Sequence, residues 1–194
     1  LDADGNPAED GTGHLAEGQI PAAAPATGFD ADTETWTERK PTTSVEIKGD
    51  TAFAVSWTEG SYGYIVNYHY DNAVETVTGA AKFREPIPYD TARKPEKAEG
   101  SFIYERTVGE GKTVAADSKD NVVDVYFTLD NVGTDPENPD VPDNVPDKYQ
   151  ATVTYTATNG TVSLDKAVVT LLDADGNPAE DGTGHLADAQ IPAA

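Results

Sequence analysis

Residues 1–23 read LDADGNPAEDGTGHLAEGQIPAA, and residues 172–194 read LDADGNPAEDGTGHLADAQIPAA. The two runs differ only where Glu17 becomes Asp188 and Gly18 becomes Ala189. Near-identity at a shift of 171 positions is the mark of tandem duplication. Repeated chains fold as copies of one unit whose stability comes from the unit and its neighbours. The expectation is an array with a period of about 171 residues. Methionine is absent even at position 1, so the segment reads as a window from a longer chain.

An array can be read as a circle. Residues 148–172 continued by 1–59 give one sensible domain. Its first strand is KYQATVTYTATNG, in which Tyr149, Ala151, Val153, Tyr155 and Ala157 alternate with threonines. That period of two predicts a strand with one buried face. Asn159–Gly160 tolerates positive φ and supplies a turn, and KAVVTLLDA follows as the return strand. Further on, Phe53, Val55 and Trp57 alternate with Ala54 and Ser56. Pro21 and Pro25 exclude a long helix between them.

A second module is expected over 61–130. YGYIVNYHYDNAVETVTG reads as a hairpin turning at Asp71–Asn72. FIYERTVGEG and VVDVYFTLD read as strands, and Pro86, Pro88 and Pro95 break the basic stretch before them. Residues 131–147 hold four prolines, five acids and no base. Proline favours extended polyproline II and like charges resist collapse, so a semi-rigid linker reaching roughly 50 Å is predicted. The boundaries are therefore 1–59, 61–130, a linker over 131–147, and 148–194 as the start of the next domain.

Composition narrows the function. Thirty-five acidic residues against 13 basic ones give a formal net charge of −22. Nucleic acid and anionic membrane repel such a chain. Cysteine is absent, so disulfides and thiolate metal sites are excluded. No apolar run reaches the 18 or so residues of a membrane helix. Abundant Thr, Val, Tyr and Gly favour strands.

The runs YQATVTYTATNGTVS, DADGNPAEDGTGHLAEGQIP, GFDADTETW and IKGDTAFAVSW resemble the internalin-type B-repeats, also called Listeria–Bacteroides repeats. YIVNYHYDNAVETVTGAAKFREPIPY with NVVDVYFTLD is similar to the mucin-binding-protein domains. Together they cover nearly all of the chain outside the linker. The resemblance implies an α+β, strongly β-rich fold: two small β-grasp-like, ubiquitin-like modules per period, strung as beads. It implies a bacterial cell-surface or secreted location. The expected role is a structural repeat unit of a stalk, adhesin or surface fibre, with neighbouring repeats as partners. Two alternatives stand: a module binding host mucin or glycans, and an extracellular filament built by strand complementation between chains.

Asp2, Asp4, Asn6, Glu9 and Asp10 crowd the opening run. A calcium loop of the EF-hand type needs Gly at position 6 and Glu at position 12; counting from Asp2 these are Pro7 and Gly13. A turn is the reading adopted, with a loosely held cation as its alternative. His14 and His185 occupy one repeat position and His69 lies in a strand, with no paired metal-ligand spacing. Tyr62, Tyr64, Tyr68 and Tyr70 form either a core face or an exposed row for sugar stacking. A lysine–asparagine isopeptide crosslink, which needs a buried lysine beside an acid in an apolar pocket, is a further option. No catalytic, cofactor-binding or metal residue is expected, no cofactor, and no enzyme: GxSxG, P-loop and GxGxxG patterns are all missing.

Overall fold

The computed structural model describes residues 1–8, 12–71, 73–135, 137–161, 166–179 and 183–187. Glu9, Asp10, Asn72, Asp188 and Ala189 lie outside them, as do 162–165 between the expected Asn159–Gly160 turn and the strand from Lys166. The fold is strand-rich. Helical structure among the described residues is limited to short 3-10 turns at Glu17–Gln19, Ala31–Thr33, Ser118–Asp120 and Asp147–Tyr149.

The strands are β1 (Thr12–His14), β2 (Thr35–Trp36), β3 (Glu46–Lys48), β4 (Val55–Ser56), β5 (Ser61–Tyr70), β6 (Ala73–Lys82), β7 (Phe102–Val108), β8 (Val122–Leu129), β9 (Gln150–Thr154) and β10 (Lys166–Thr170). By contacts the chain divides into two units. The first is Leu1–Tyr64, Ala80–Pro86 and Thr113–Asn121; the second is Ile65–Gly79, Ile87–Lys112 and Val122–Ala194.

In the first unit, two short antiparallel pairs form, β1 with β3 and β2 with β4. Phe29 bridges Glu59, and Gly60 N–H donates to the Gly28 carbonyl at 2.9 Å. The Phe83 ring lies directly on Gly28, whose φ of 93° is left-handed, and meets Phe29 and Tyr62 edge-on. Asn121 is fully buried. Its amide donates to the carbonyls of Gly63 and Ala115, and its oxygen accepts from Ala115 N–H, so no polar atom is orphaned.

The second unit is organised by a mixed sheet of order β6-β5-β8-β7. β5 runs parallel to β8 from Ile65 opposite Val122 to Tyr70 opposite Phe127. β7 pairs antiparallel with β8, with an irregularity between Tyr104 and Arg106. Alternation decides the faces. Val66, Tyr68 and Tyr70 of β5 and Val123, Val125 and Phe127 of β8 are all 5% exposed or less and form the core. The Tyr70 and Phe127 rings stack at 4.9 Å, and Phe102 meets Tyr70 edge-on at 5.3 Å.

The proline-broken stretch over 87–101 supplies the cover that a helix gives other sheets. Ile87 is 3% exposed. Asp90 N–H donates to the Tyr68 hydroxyl, the Tyr70 hydroxyl donates to the Arg93 carbonyl, and the Arg93 guanidinium lies 4.9 Å from the Tyr68 ring centre. From β6, the buried Glu75 carboxylate accepts from Glu96 N–H at 2.6 Å and Lys97 N–H at 2.9 Å, and pairs with Arg93 at 3.4 Å. Burial pushes Tyr70 up to about 12, with Glu75 adding to the effect.

β9 and β10 form an antiparallel hairpin from Gln150 opposite Thr170 to Thr154 opposite Lys166. The ladder is shorter than the strand expected over 148–160. It starts after the 3-10 turn at Asp147–Tyr149, and Asn159 takes the expected positive φ, 58°. Ala167, Val169, Leu171 and Ala179 form the hairpin's core, with Ala151, Val153, Tyr155 and Leu186 packed against it.

The extended path expected for 131–147 is not what this segment adopts. Carboxylates gather its backbone amides instead. Asp130, 1% exposed, accepts from Asp143 N–H and Asn144 N–H. Asp147 accepts from Asn131 and Val132 N–H, and Asp143 from Thr134 N–H and hydroxyl. Gly133 N–H reaches the Pro139 carbonyl at 2.9 Å. The prolines that block helix also leave carbonyls for such turns, and each aspartate replaces solvent at two donors.

Candidate functional site

The duplicated run folds the same way twice. Asp2 Oδ1 accepts from Asp4 N–H at 2.9 Å and Asn6 N–H at 2.8 Å; Asp173 Oδ1 accepts from Asp175 and Asn177 N–H at 2.9 Å each. Asp2 N–H donates to the Asn6 carbonyl, and Asp173 N–H to that of Asn177, both at 2.8 Å. His14 and His185 each use backbone N–H to bond the carbonyl of Leu1 and Leu172. The first aspartate of each run thus closes an Asx-type turn. Backbone hydrogen bonds from Asn6 and Asn177 hold Asp2 and Asp173 below the usual carboxylate range. Both carboxylates point back into their own loops, and no group of three or more His, Asp or Glu side chains among the described residues is placed to hold a metal ion.

The tyrosines sort by depth. Tyr68 and Tyr70 are 4% and 1% exposed and belong to the core, while Tyr62 and Tyr64 are half-buried. The exposed row that sugar stacking needs is not on this face. Every lysine is exposed or half-buried, so the apolar pocket of an isopeptide crosslink is not formed around any of them.

The opposite face of the same sheet carries a polar ladder. Thr76 donates to Asn67 Oδ1 at 2.9 Å, and Asn67 Nδ2 donates to Asp124 Oδ1 at 3.0 Å. His69 Nε2 shares that oxygen at 2.9 Å. The His69 ring stacks on Tyr126 at 4.3 Å, and Arg106 lies 4.0 Å over the same ring. His69, Tyr126 and Arg106 are successive cross-strand partners on β5, β8 and β7, which is why their side chains meet. Burial would raise Asp124, but hydrogen bonds from His69 and Asn67 outweigh it and keep the carboxyl below its usual range. The imidazole spends Nε2 on Asp124 and a ring face on Tyr126. It ties strands together and faces no hydroxyl nucleophile in these contacts.

A second surface lies in the first unit. Leu15, Pro21, Trp36, Ile47, Phe53 and Val55 line a cleft of about 520 Å³. Among the described residues of 1–59, Pro41 is the one buried apolar side chain, and it too lines the cleft. Sequence reading placed Phe53, Val55 and Trp57 on one face correctly, yet that face is only half-covered.

No family model, curated protein or solved structure matches the chain. No helix among the described residues is long and apolar enough to cross a membrane.

Proposed function

We propose that this chain is a structural repeat unit of a large bacterial cell-surface protein, acting outside the cell and carrying no catalysis. The observation that carries the reading is the duplicated run, which keeps one hydrogen-bond pattern in both copies. A turn kept so closely is a part of a repeated scaffold. The sheet order supports β-grasp-like modules. Its outer hairpin strand, first strand, last strand and third strand lie side by side, with the first and last parallel. The 87–101 stretch takes the place of the crossing helix. The −22 charge suits a well-solvated surface.

Binding of host mucin or glycans is the alternative. One aromatic surface it could use is Tyr126 with His69 and Arg106, since Tyr68 and Tyr70 are core. Passing the full chain over immobilised mucin separates the readings. The structural-unit reading predicts no retention above a charge-matched control. Strong retention that Tyr126→Ala removes, with the fold intact by circular dichroism, would overturn it.

A further inference from the structure

The two copies of the duplicated run are built alike but covered differently. In 172–187, Ala179 is 8% exposed, packed with Ala167, Val169 and Leu171 of the hairpin, and Leu186 closes over them. In 1–16, the matching Ala8 is half-buried, and the matching Leu15 lines the open cleft with Trp36, Ile47, Phe53 and Val55. One copy has a β-hairpin on it. The other presents apolar side chains to a cleft.

We infer that this cleft is the seat of the β9–β10 hairpin of a second copy of the chain. The inference deepens the repeat-unit reading and rests on it. Residues 1–16 and 172–187 are identical in sequence. The contacts that the hairpin makes with Ala179 and Leu186 can therefore be remade with Ala8 and Leu15 of another copy. For the hairpin the exchange is neutral, and the cover that Ala179 and Leu186 lose is the cover that Ala8 and Leu15 gain. For the cleft it is a gain, because Trp36, Ile47, Phe53 and Val55 lose water contact. Exchange of an identical element between chains is domain swapping, a low-cost route to association. Each chain offers one cleft and one hairpin, so the contact is head-to-tail and open-ended. The −22 charge opposes it at low salt, and added salt screens that repulsion.

The test uses the full chain with Trp57→Phe, leaving Trp36 as the sole tryptophan. Sedimentation equilibrium and Trp36 emission are followed from micromolar to millimolar protein in moderate salt. The weight-average mass should at least double, and the emission should shift to the blue with it. Ile47→Asp blocks the cleft but leaves the hairpin. It should stay monomeric alone, yet cap the growth of unsubstituted chains when mixed with them. Unchanged amide NMR signals in β1, β2 and β4 as well as in β9–β10 establish that this variant is folded; if it is not, Phe53→Asp takes its place. A strict monomer with fixed Trp36 emission overturns the proposal. So does association that the blocked chain fails to cap, since that is cleft-to-cleft pairing. Neither result touches the repeat-unit reading, which is judged on the dimensions of covalent multiples.

Discussion

Glu75 shows how one side chain can hold a fold without a helix. It is 6% exposed and gathers two backbone amides and Arg93 from the 87–101 stretch. Removing it orphans the Glu96 and Lys97 amides and leaves Arg93 with Glu96 as its acid partner. Glu75→Ala should lower unfolding free energy by about 2–3 kcal/mol, the scale of hydrogen bonds to a buried charge, measured by urea denaturation. Its pH dependence has a definite sign. Burial pushes the carboxyl up, but the amides of Glu96 and Lys97 and the Arg93 guanidinium bring it below its ordinary value. A carboxylate depressed in the folded state stabilises above the unfolded value, about 4.3, and stops doing so as pH falls through the folded value. The urea midpoint should drop across that acid window, and Glu75→Gln should flatten the drop. Gly28 makes a second residue-scale prediction. A methyl group there meets the Phe83 ring and a left-handed backbone together, so Gly28→Ala should cost about 2 kcal/mol in the same assay.

At the scale of elements, the 131–147 segment is held by carboxylates rather than by proline stiffness. Asp130→Ala removes the acceptor for Asp143 and Asn144 N–H. It should speed amide hydrogen exchange at both positions at least tenfold while leaving β5 and β8 protected. Asp143 behaves as Glu75 does: burial opposes its charge, yet bonds from Thr134 and Val145 keep it below the usual range. Exchange across 131–147 should therefore quicken as pH falls below about 4, after correction for intrinsic rates. These elements also mark where sequence reading ends. Strands β5, β8 and β9 were legible because alternation is local, as with Ala151 and Val153 against Thr152 and Thr154. The cover over 87–101 was not, because Glu75 and Arg93 are 18 positions apart and only the folded sheet brings them together. The folded linker was missed for the same reason: proline and charge count predict extension, while Asp130 acts from outside the segment. His69, Asp124 and Tyr126 alternate against the core residues, so a polar face was readable, but their pairing needed the β5–β8 register.

At the scale of the whole molecule, the duplication says more than any side chain. The run that opens the chain is a turn built around Asp2, and the same turn stands at Asp173. Repeats of this kind add stability and length one unit at a time. The strand-rich fold is shown by the four-stranded sheet, whose first and last strands, β5 and β8, run parallel. The central claim is that the period is a modular building unit. Small-angle X-ray scattering on covalent chains of one, two and three periods tests it most directly. The account predicts a maximum dimension that grows by the same step with each added period. Growth of the radius of gyration by only about 1.3-fold on doubling, as for one compact globule, would contradict it.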